Sequence, residues 1–512
     1  MSPDPRPNIL YLVADQQKAP ATAPYGNGLI DCPCTTRFAR QGISFRNAHV
    51  VSTICTPSRA SVMTGVHPLV HQVTCWQNKA PWNLPQLAEL FAAAGYYTGA
   101  AGHYELGRHL GRGWHEQTDL RSADGGLDDA LALKYAQGRA DCGWSSGALD
   151  IPIEEGHSAR LGDVGIQMIE NAVAADAPFF IHVSFNDPHP PYFVPQPFAT
   201  LVDPASIALP DPGGSGRPRW QLQALREVAY GKADPEDLRR AIAVYYGMIA
   251  YVDSQMERIC QALERHDLLE TTWIVFAADH GDFMGEKGLF EKCEVPYGCL
   301  THVPLILVPP RGEPHPGPTT VDHLVQSIDL FPTMLELADL PLPEYTQGSD
   351  LMSWVRDGAA TPLHQQLFAQ VGDYHGNLKN TFPGGTFASG RRQALVQSVR
   401  TQDHLYIRDD QYGDEAYDLK ADPLELNNRL TAGAEPPEWT PALRHQVEIW
   451  EEECIALRRQ LGGPEGKKIA VLDQPPKSSF IFAILDLVIR YKKSLTKSYE
   501  QIRYNPGSGK IL

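Results

Sequence analysis

The sequence predicts an α/β fold in which a mixed, mostly parallel sheet is flanked by helices and followed by a smaller antiparallel sheet. Two observations predict this fold. Residues 7–17 (PNILYLVADQQ) and 273–282 (WIVFAADHGD) are apolar runs that end abruptly in polar residues, which is typical of parallel strands buried on both faces. Segments with helical periodicity alternate with such runs, and this alternation favours a sheet with helices on both faces.

Two helix–strand units show this alternation. Apolar residues between positions 87 and 94 have helical spacing, with Pro85 expected in the first turn and Gly95 as the end signal, before a strand near 97–101. A strand at 179–185 (FFIHVSF) comes before a helix through Ile249 to Leu263, which leads into the run at 273–282. These units supply the inner strands of the predicted sheet.

The chain has 512 residues, more than one average core accommodates. Near Gln393 the pattern changes to short alternating segments, which predict a small antiparallel sheet. We therefore expect a catalytic α/β domain at 1–392, a small α+β subdomain at 393–462 and a C-terminal arm at 463–512. The apolar stretch 480–489 of the arm packs either on the body or on a second subunit.

The charge and cysteine content exclude several classes of protein. Forty-four Lys and Arg against 61 Asp and Glu give a net charge of −17, which repels nucleic-acid phosphates. The opening residues lack the pattern of a secretory signal, and the stretch 480–489 is shorter than the roughly 20 residues of a membrane span. Nine cysteines, an odd number, do not indicate a disulfide framework. A cytoplasmic protein is expected, with no nucleic-acid or membrane partner.

Polar residues that close the apolar runs are candidates for a site. Ligands of open α/β sheets bind beyond the carboxyl ends of the strands. The residues in this position are Asp15, Gln16, Asp187, His189, Asp279 and His280.

The segment ICTPSRASVMTG, residues 54–65, is the most informative motif. Taken by itself, Cys55 near Arg59 is either a thiolate whose pKa is lowered by a cation or an ordinary buried cysteine. CTPSR also resembles the sulfatase signature, in which the first cysteine is oxidised after translation to formylglycine. The resemblance implies that a formylglycine-generating enzyme is a partner of this chain.

Other segments resemble the same family in the same order, from Pro7 to about Arg429. They are PNILYLVADQQ, SFNDPHPPY, FAADHGDFMGEKGLFEK, HVPLILVPP, SIDLFPTMLELADLP and YDLKADPLELNN. Together they identify an alkaline-phosphatase-like fold of the sulfatase branch.

The resemblance implies a metal site and a covalent mechanism. One divalent cation (Ca, Mg or Mn), which suits mostly oxygen donors, is expected at Asp15, Gln16, modified Cys55, Asp279 and His280. Hydrated formylglycine has two geminal hydroxyls, of which one attacks sulfur or phosphorus and expels the alcohol. The second hydroxyl then collapses the covalent hemiacetal ester to the aldehyde and releases the inorganic product.

The remaining catalytic roles also follow from the resemblance. Arg59 is assigned to hold the formylglycine, and His189 and Lys292 are assigned to the ester oxygens and the leaving group. Lys287 is a competing candidate, but the spacing from Asp279 favours Lys292.

The sequence departs from the common sulfatase pattern at two places. Gln16 stands where most members carry a second acidic residue, and GHYELG puts His103 and Glu105 where they carry Lys and His. The loss of a fixed cation penalises a doubly charged phosphate monoester more than a singly charged ester. Singly charged esters include sulfate monoesters, phosphodiesters and phosphonate monoesters.

These departures resemble the phosphonate monoester hydrolases and their promiscuous arylsulfatase relatives. That group carries an Asn in the loop that here reads WQNKAP, which makes Asn78 a substrate-binding candidate beside His103, Glu105, His189 and Lys292. Its trailing arms take part in oligomer formation, so a homo-oligomer is expected. Because CTPSR is the commoner sulfatase form, sulfate ester hydrolysis ranks ahead of phosphonate monoester or phosphodiester hydrolysis.

Two further hypotheses compete with this one. A metal-dependent phosphatase or phosphomutase of the same fold would use an unmodified nucleophile, and Cys55→Ser would then keep activity. A catalytically silent binding relative would keep Cys55 as a thiol.

Overall fold

The computed structural model describes residues 6–74, 84–103, 112–118, 146–211, 234–312, 320–372, 395–409, 413–431 and 434–462. All of them belong to one compact unit formed by residues 1–377 and 392–463. The predicted C-terminal arm lies outside the described residues.

The main sheet has eight strands in the described part of the chain. In chain order they are Asn8–Ala14 (β1), Ile43–His49 (β2), Tyr97–Gly102 (β3), Glu116–Thr118 (β4), Phe179–Phe185 (β6), Thr272–Ala278 (β8), Leu305–Val308 (β9) and Thr320–Gln326 (β10). A separate pair is formed by Ser146–Leu149 (β5) and Tyr192–Pro195 (β7).

The order across the main sheet is β10-β2-β9-β8-β1-β6-β3-β4. Strand β1 is central and runs parallel to both β8 and β6, whereas β9 runs antiparallel to β2 and β8. The prediction of a mixed, mostly parallel sheet is confirmed.

The described residues form ten α-helices, seven of which contribute side chains to the hydrophobic cores on the two faces of the main sheet. The ten helices are Pro33–Gln41 (α1), Cys55–Thr64 (α2), Pro68–His71 (α3), Leu87–Ala93 (α4), His157–Ala174 (α5), Pro235–Arg265 (α6), Gly298–Thr301 (α7), Leu330–Leu337 (α8), Leu351–Arg356 (α9) and Thr440–Gln460 (α10).

Strand β1 explains why its sequence is an unbroken apolar run. Alternate residues of a strand point to opposite faces of the sheet. Ile9 and Val13 pack in one hydrophobic core together with residues of α2 and α4, whereas Leu10 and Leu12 pack in a second core with residues of α5 and α6. Both faces are covered, so neither set of side chains can be polar.

Two predicted helices are present, with different beginnings. Helix α4 begins after Gln86, whose capping box with Glu89 satisfies the first backbone N–H groups, so Pro85 precedes the cap and is not in the first turn. The helix predicted from Ile249 begins much earlier, at Pro235, where Asp234 caps it. Capping groups, and not the apolar stripe, set these boundaries.

The predicted second sheet is present and antiparallel. Its strands are Leu367–Val371 (β11), Val396–Arg400 (β12), His404–Asp409 (β13) and Glu415–Asp418 (β14), in that order, and α10 packs on it. Strand β11 lies ahead of the predicted boundary at residue 393, because it pairs with β12 across a long intervening segment. The domain limits themselves stay a prediction.

A buried charged cluster joins this subdomain to the α/β domain. Glu425 accepts two hydrogen bonds from the Gly298 backbone N–H at 3.1 and 2.9 Å and pairs with Arg400. Lys287 donates to the Leu424 carbonyl at 3.0 Å and lies 4.4 Å from the centroid of the Tyr297 ring. The loop between Lys287 and Gly298 is therefore held at both ends.

The described residues include seven of the nine cysteines. Within those residues all are free, and Cys32, Cys34, Cys260, Cys293 and Cys454 are buried. In the same part of the chain, no helix has the length and apolar character needed to cross a membrane.

His71 makes the stability of the fold depend on pH. It ends α3 and is fully buried, with Nε2 2.9 Å from Ser61 Oγ on α2 and Nδ1 accepting the Val73 N–H at 3.0 Å. Burial lowers the pKa of His71 to about 3. Below the unfolded pKa of about 6.5 the unfolded chain binds a proton that the folded chain does not, so stability falls on acidification.

We predict that His71→Gln makes this loss shallower by about 1.4 kcal/mol per pH unit between pH 6.5 and 4. Urea unfolding at pH 7, 6 and 5 measures the slope. The exposed His266→Gln is the matched control and should leave the slope unchanged. Equal slopes of unfolding free energy against pH for His71→Gln and the unsubstituted protein would contradict the prediction.

Candidate active site

The carboxyl ends of four neighbouring strands meet at one edge of the sheet. Strands β8, β1, β6 and β3 are adjacent and parallel. The polar residues that follow or end them therefore lie side by side, as the sequence predicts. The structure brings together Asp15, Gln16, Arg59, His103, His189, Asp279, His280 and Lys292 around Cys55.

Helix α2 carries the signature motif into this edge. Cys55 is its first residue, partly exposed, and the nine residues after it are buried. The N-terminus of a buried helix presents unpaired N–H groups and partial positive charge, which favours an anion.

Arg59, one turn into α2, donates to all four strand ends. Its Nε donates to Asp279 Oδ2 at 2.8 Å and its Nη2 to Asp15 Oδ2 at 3.3 Å. Its Nη1 donates to Ser184 Oγ at 2.6 Å and to the backbone carbonyl of His103. The guanidinium is 5% exposed, so these charge-assisted bonds are shielded from water.

The residues present fit a divalent cation. One ligand atom each from Asp15, Asp279 and His280 lies within 4.8 Å of the others, and all three residues are buried. Asp15 Oδ1 is buried and has no hydrogen-bond partner, although a buried carboxylate oxygen without a partner is costly. Two carboxylates with an imidazole suit a hard cation.

The protonation states also suit a cation. Burial raises the pKa of Asp15, but His189 and the hydrogen bond with His103 outweigh it and hold that pKa well below its usual range. Burial opposes ionisation of Asp279 as well, yet Arg59 lowers its pKa. Burial lowers the pKa of His280, whose Nδ1 donates to the Gly281 carbonyl at 3.0 Å and so leaves Nε2 as the acceptor.

Gln16 is held at every polar atom. Its backbone is left-handed, with φ of 68°, and its N–H donates to Asp279 Oδ1 at 3.0 Å. Its side-chain Oε1 accepts from Lys292 Nζ at 3.0 Å. Lys292 Nζ also lies 3.0 Å from His280 Nε2, so this lysine faces the cation-binding residues. Lys287, by contrast, points to carbonyls of the C-terminal subdomain.

His103 lies against the first candidate ligand. Its Nδ1 is 2.6 Å from Asp15 Oδ2, and its N–H donates to the Ser184 carbonyl at 3.2 Å. The preceding Gly102 has φ of 83°, and a Cβ there would stand 2.0 Å from the same carbonyl oxygen. Only glycine allows the chain to turn here.

His189 and Cys55 have strongly altered acidities. Burial, with the charge of Lys292, lowers the pKa of His189 to about 4, and its Nδ1 donates to the Pro190 carbonyl at 2.7 Å. Burial raises the pKa of Cys55, although Lys292 lowers it. Burial therefore opposes the thiolate alternative, which requires a lowered cysteine pKa.

Three of the other candidates have a different outcome. Asn78 and Glu105 lie outside the described residues, so their predicted substrate contacts stay predictions. Asp187 accepts from Ser158 Oγ at 2.5 Å, and burial raises its pKa to about 7 although that hydrogen bond lowers it. It takes no part in the cation-binding group.

Sequence reasoning missed three residues that support the site. Asp282 accepts from Gln16 Nε2 at 2.6 Å, and the Tyr245 hydroxyl donates to the Gln16 carbonyl at 2.8 Å. Ser184 contacts Arg59, as described above. Asp282 and Ser184 stand at strand ends and were open to the same argument as their neighbours, whereas Tyr245 lies in a helix that gives no such signal.

The chain matches two protein families and several known proteins. Residues 7–340 match the family described as Sulfatase, and residues 285–449 match the one described as N-sulphoglucosamine sulphohydrolase, C-terminal. The arylsulfatase of Clostridium perfringens is 26% identical over 474 residues, covering 83% of this chain and 91% of that protein. The choline-sulfatase of Rhizobium meliloti is 26% identical over 453 residues, covering 83% of this chain and 82% of that protein.

A solved structure shares the fold. The phosphonate monoester hydrolase of Agrobacterium radiobacter has a TM-score of 0.70 at 22% identity, covering 89% of this chain and 96% of that chain. This likeness confirms the predicted alkaline-phosphatase-like fold. Because the Sulfatase match spans well over half of the sequence, the chain belongs to the sulfatase family.

Proposed function

We propose that the chain is a formylglycine-dependent hydrolase of sulfate esters, with Cys55 as the modified residue. The observation that carries the proposal is the position of Cys55 at the start of α2, beside Asp15, Asp279, Arg59 and Lys292. An ester anion is attracted there by the helix N-terminus and by two cationic side chains.

The acidity of Cys55 favours modification over direct use of the thiol. Burial raises its pKa, so the unmodified residue carries little thiolate, the nucleophilic form. A hydrated formylglycine offers a hydroxyl in place of the thiol. Arg59 is 5% exposed and lies one turn along α2, in a position to orient that side chain.

Asp15, Gln16, Asp279, His280 and the modified Cys55 would hold one divalent cation, with Ca, Mg and Mn as the candidates. When bound, the cation supplies Lewis-acid chemistry that favours the ionised nucleophile.

His189 and Lys292 are proposed to have different roles at the leaving group. With a pKa of about 4 and its Nδ1–H donating to the Pro190 carbonyl, His189 is neutral near pH 7 and presents Nε2 as an acceptor. A proton for the departing alcohol is therefore assigned to the Lys292 ammonium. This narrows the sequence-based hypothesis, which gave either residue that role.

The charge of the site favours singly charged esters as substrates. His103 occupies the position of the common lysine and contacts Asp15 at 2.6 Å, so the site keeps fewer fixed cations than the usual pattern. Sulfate monoesters come first, and phosphonate monoesters or phosphodiesters are the alternative. The expected formylglycine-generating partner, cytoplasmic location and homo-oligomer stay predictions.

We predict that Cys55 carries an aldehyde or its hydrate when the chain is produced with a formylglycine-generating enzyme. Mass spectrometry of the Cys55 peptide detects the exchange of thiol for aldehyde. Cys55→Ser should lower the hydrolysis of 4-nitrophenyl sulfate by about a thousandfold or more, because no aldehyde hydrate forms.

Buried Cys293, which lies beside the catalytic lysine, is the control, and Cys293→Ser should keep both the aldehyde and the activity. An active protein whose Cys55 is wholly a thiol would overturn the proposal in favour of a metal-dependent phosphatase. A modified protein that hydrolyses neither ester class would favour a silent binding relative.

The charge argument predicts a change of preference in His103→Lys. The added cation attracts a phosphate dianion more than a sulfate monoanion, so the ratio of kcat/KM for phosphate over sulfate monoesters should rise about tenfold. His103→Asn adds no charge and serves as the control. An unchanged ratio in His103→Lys would show that residue 103 does not set the substrate preference.

We also predict that Asp279→Asn abolishes stabilisation by a divalent cation. At CaCl2 or MnCl2 concentrations 100 times Kd, the free energy of unfolding of the unsubstituted protein should rise by about 2.7 kcal/mol, which is seen as a rise in Tm. The variant loses a carboxylate ligand and should show no rise. Asp253→Asn, at a buried carboxylate that caps α1, should lower Tm and still respond to the cation. A full response in Asp279→Asn would refute the assignment.

A further inference from the structure

Gln16 is the unusual member of the cation-binding group, because its side chain is an amide. One end of an amide accepts hydrogen bonds and the other donates, while the two ends have nearly the same shape. Only the acceptor end, Oε1, can serve a cation. The neighbours of Gln16 therefore decide whether it is a ligand or an obstacle.

Asp282 takes the donor end. Its Oδ2 accepts from Gln16 Nε2 at 2.6 Å and from the Tyr192 hydroxyl at 2.8 Å, and its Oδ1 accepts from the Met284 N–H at 2.8 Å. Asp282 and Gln16 are both fully buried. The opposite end of the amide, Oε1, consequently faces Lys292 at 3.0 Å.

Asp282 does not itself join the cation-binding group. Among the described residues, the ligand atoms that cluster within 4.8 Å belong to Asp15, Asp279 and His280. The three hydrogen bonds of the Asp282 carboxylate come from one amide, one hydroxyl and one backbone N–H. The hydrogen bond that links it to the cation-binding group therefore runs through Gln16.

We propose that Asp282 is a positioning residue that fixes the orientation of the Gln16 amide and so makes Gln16 an oxygen ligand of the cation. This inference rests on the proposed function for the identity of the site, and on the three hydrogen bonds of Asp282 for its mechanism.

The substitution Asp282→Asn tests the orientation with almost no change of shape. The Met284 N–H is fixed by the backbone and requires an oxygen, so the new amide keeps Oδ1 there and turns Nδ2 toward Gln16. Gln16 must then turn its own amide to present Oε1 to that donor. Its Nε2 group would face Lys292 and the cation, where a donor is repelled.

The double substitution Gln16→Glu with Asp282→Asn restores the pattern. One oxygen of the new carboxylate accepts from the new amide, and the other faces the cation and Lys292. The formal charge of the pair is unchanged from that of Gln16 and Asp282. Gln16→Glu alone sets two carboxylates against each other and completes the cycle.

The measurement is calorimetric titration of MnCl2, and separately of CaCl2, into chelator-treated full-length protein at pH 8, for all four proteins. Asp282→Asn is expected to weaken Mn2+ binding by about ten- to a hundredfold. The Mn2+ affinity of the double variant is expected to lie within about threefold of that of the unsubstituted protein. The effects of the two single substitutions are therefore not expected to add. Hydrolysis of 4-nitrophenyl sulfate should follow the same order.

Tyr192→Phe is the matched control, because it removes another donor to the same Asp282 oxygen and leaves the Gln16 contact in place. It should change Mn2+ affinity by less than about threefold. Equal losses of Mn2+ affinity in Tyr192→Phe and Asp282→Asn would show that Asp282 acts through general packing and not through the orientation of Gln16. That result would overturn the proposal. Unchanged affinity in Asp282→Asn, or a double variant no better than Gln16→Glu, would also overturn it.

Two features keep the test decisive. If Asp282→Asn does not fold, the comparison of the double variant with Gln16→Glu still tests the proposal, because a double variant that binds Mn2+ no better than Gln16→Glu overturns it. Cation binding is measured without turnover, so inactivity on every ester of the unsubstituted protein that carries the aldehyde at Cys55 would refute the proposed function and leave the Mn2+ result standing.

Discussion

The site depends on one buried guanidinium. Arg59 bridges Asp279 after β8, Asp15 after β1, Ser184 in β6 and the His103 carbonyl after β3. Without a cation between them, the Asp15 and Asp279 carboxylates would repel each other in a medium that screens charge poorly. Arg59 is carried by the same helix as Cys55, so the ion pairs that hold the strand ends also fix the position of Cys55.

The remaining polar groups extend from this core in two directions. On one side His103 completes the contacts of Asp15 Oδ2 and leaves Oδ1 without a partner. On the other side Gln16, in a left-handed conformation, joins Asp279 to Lys292. Oδ1 of Asp15 and the amide oxygen of Gln16 are the kinds of atoms that a hard cation takes.

The C-terminal subdomain contributes to the site through the loop that bears Lys292. Lys287 and Gly298 anchor that loop to Leu424 and Glu425, whose carboxylate is paired with Arg400. Loss of one partner of a buried pair is costly, so the pair of Glu425 with Arg400 helps to fix the loop that carries Lys292. Of the two lysines in this loop, the structure uses one for anchoring and one for the site.

The sequence by itself determined the class of fold, the strand ends and the signature motif, because apolar periodicity and CTPSR are local patterns. It also determined that Asp15, Asp279 and His280 were candidates. Only the tertiary structure decided that β8, β1, β6 and β3 are neighbours, since strands distant in the chain pair there. For the same reason it alone placed Asp282 behind Gln16 and Arg59 across four strand ends. Such contacts depend on strand order and side-chain direction, which no local pattern encodes.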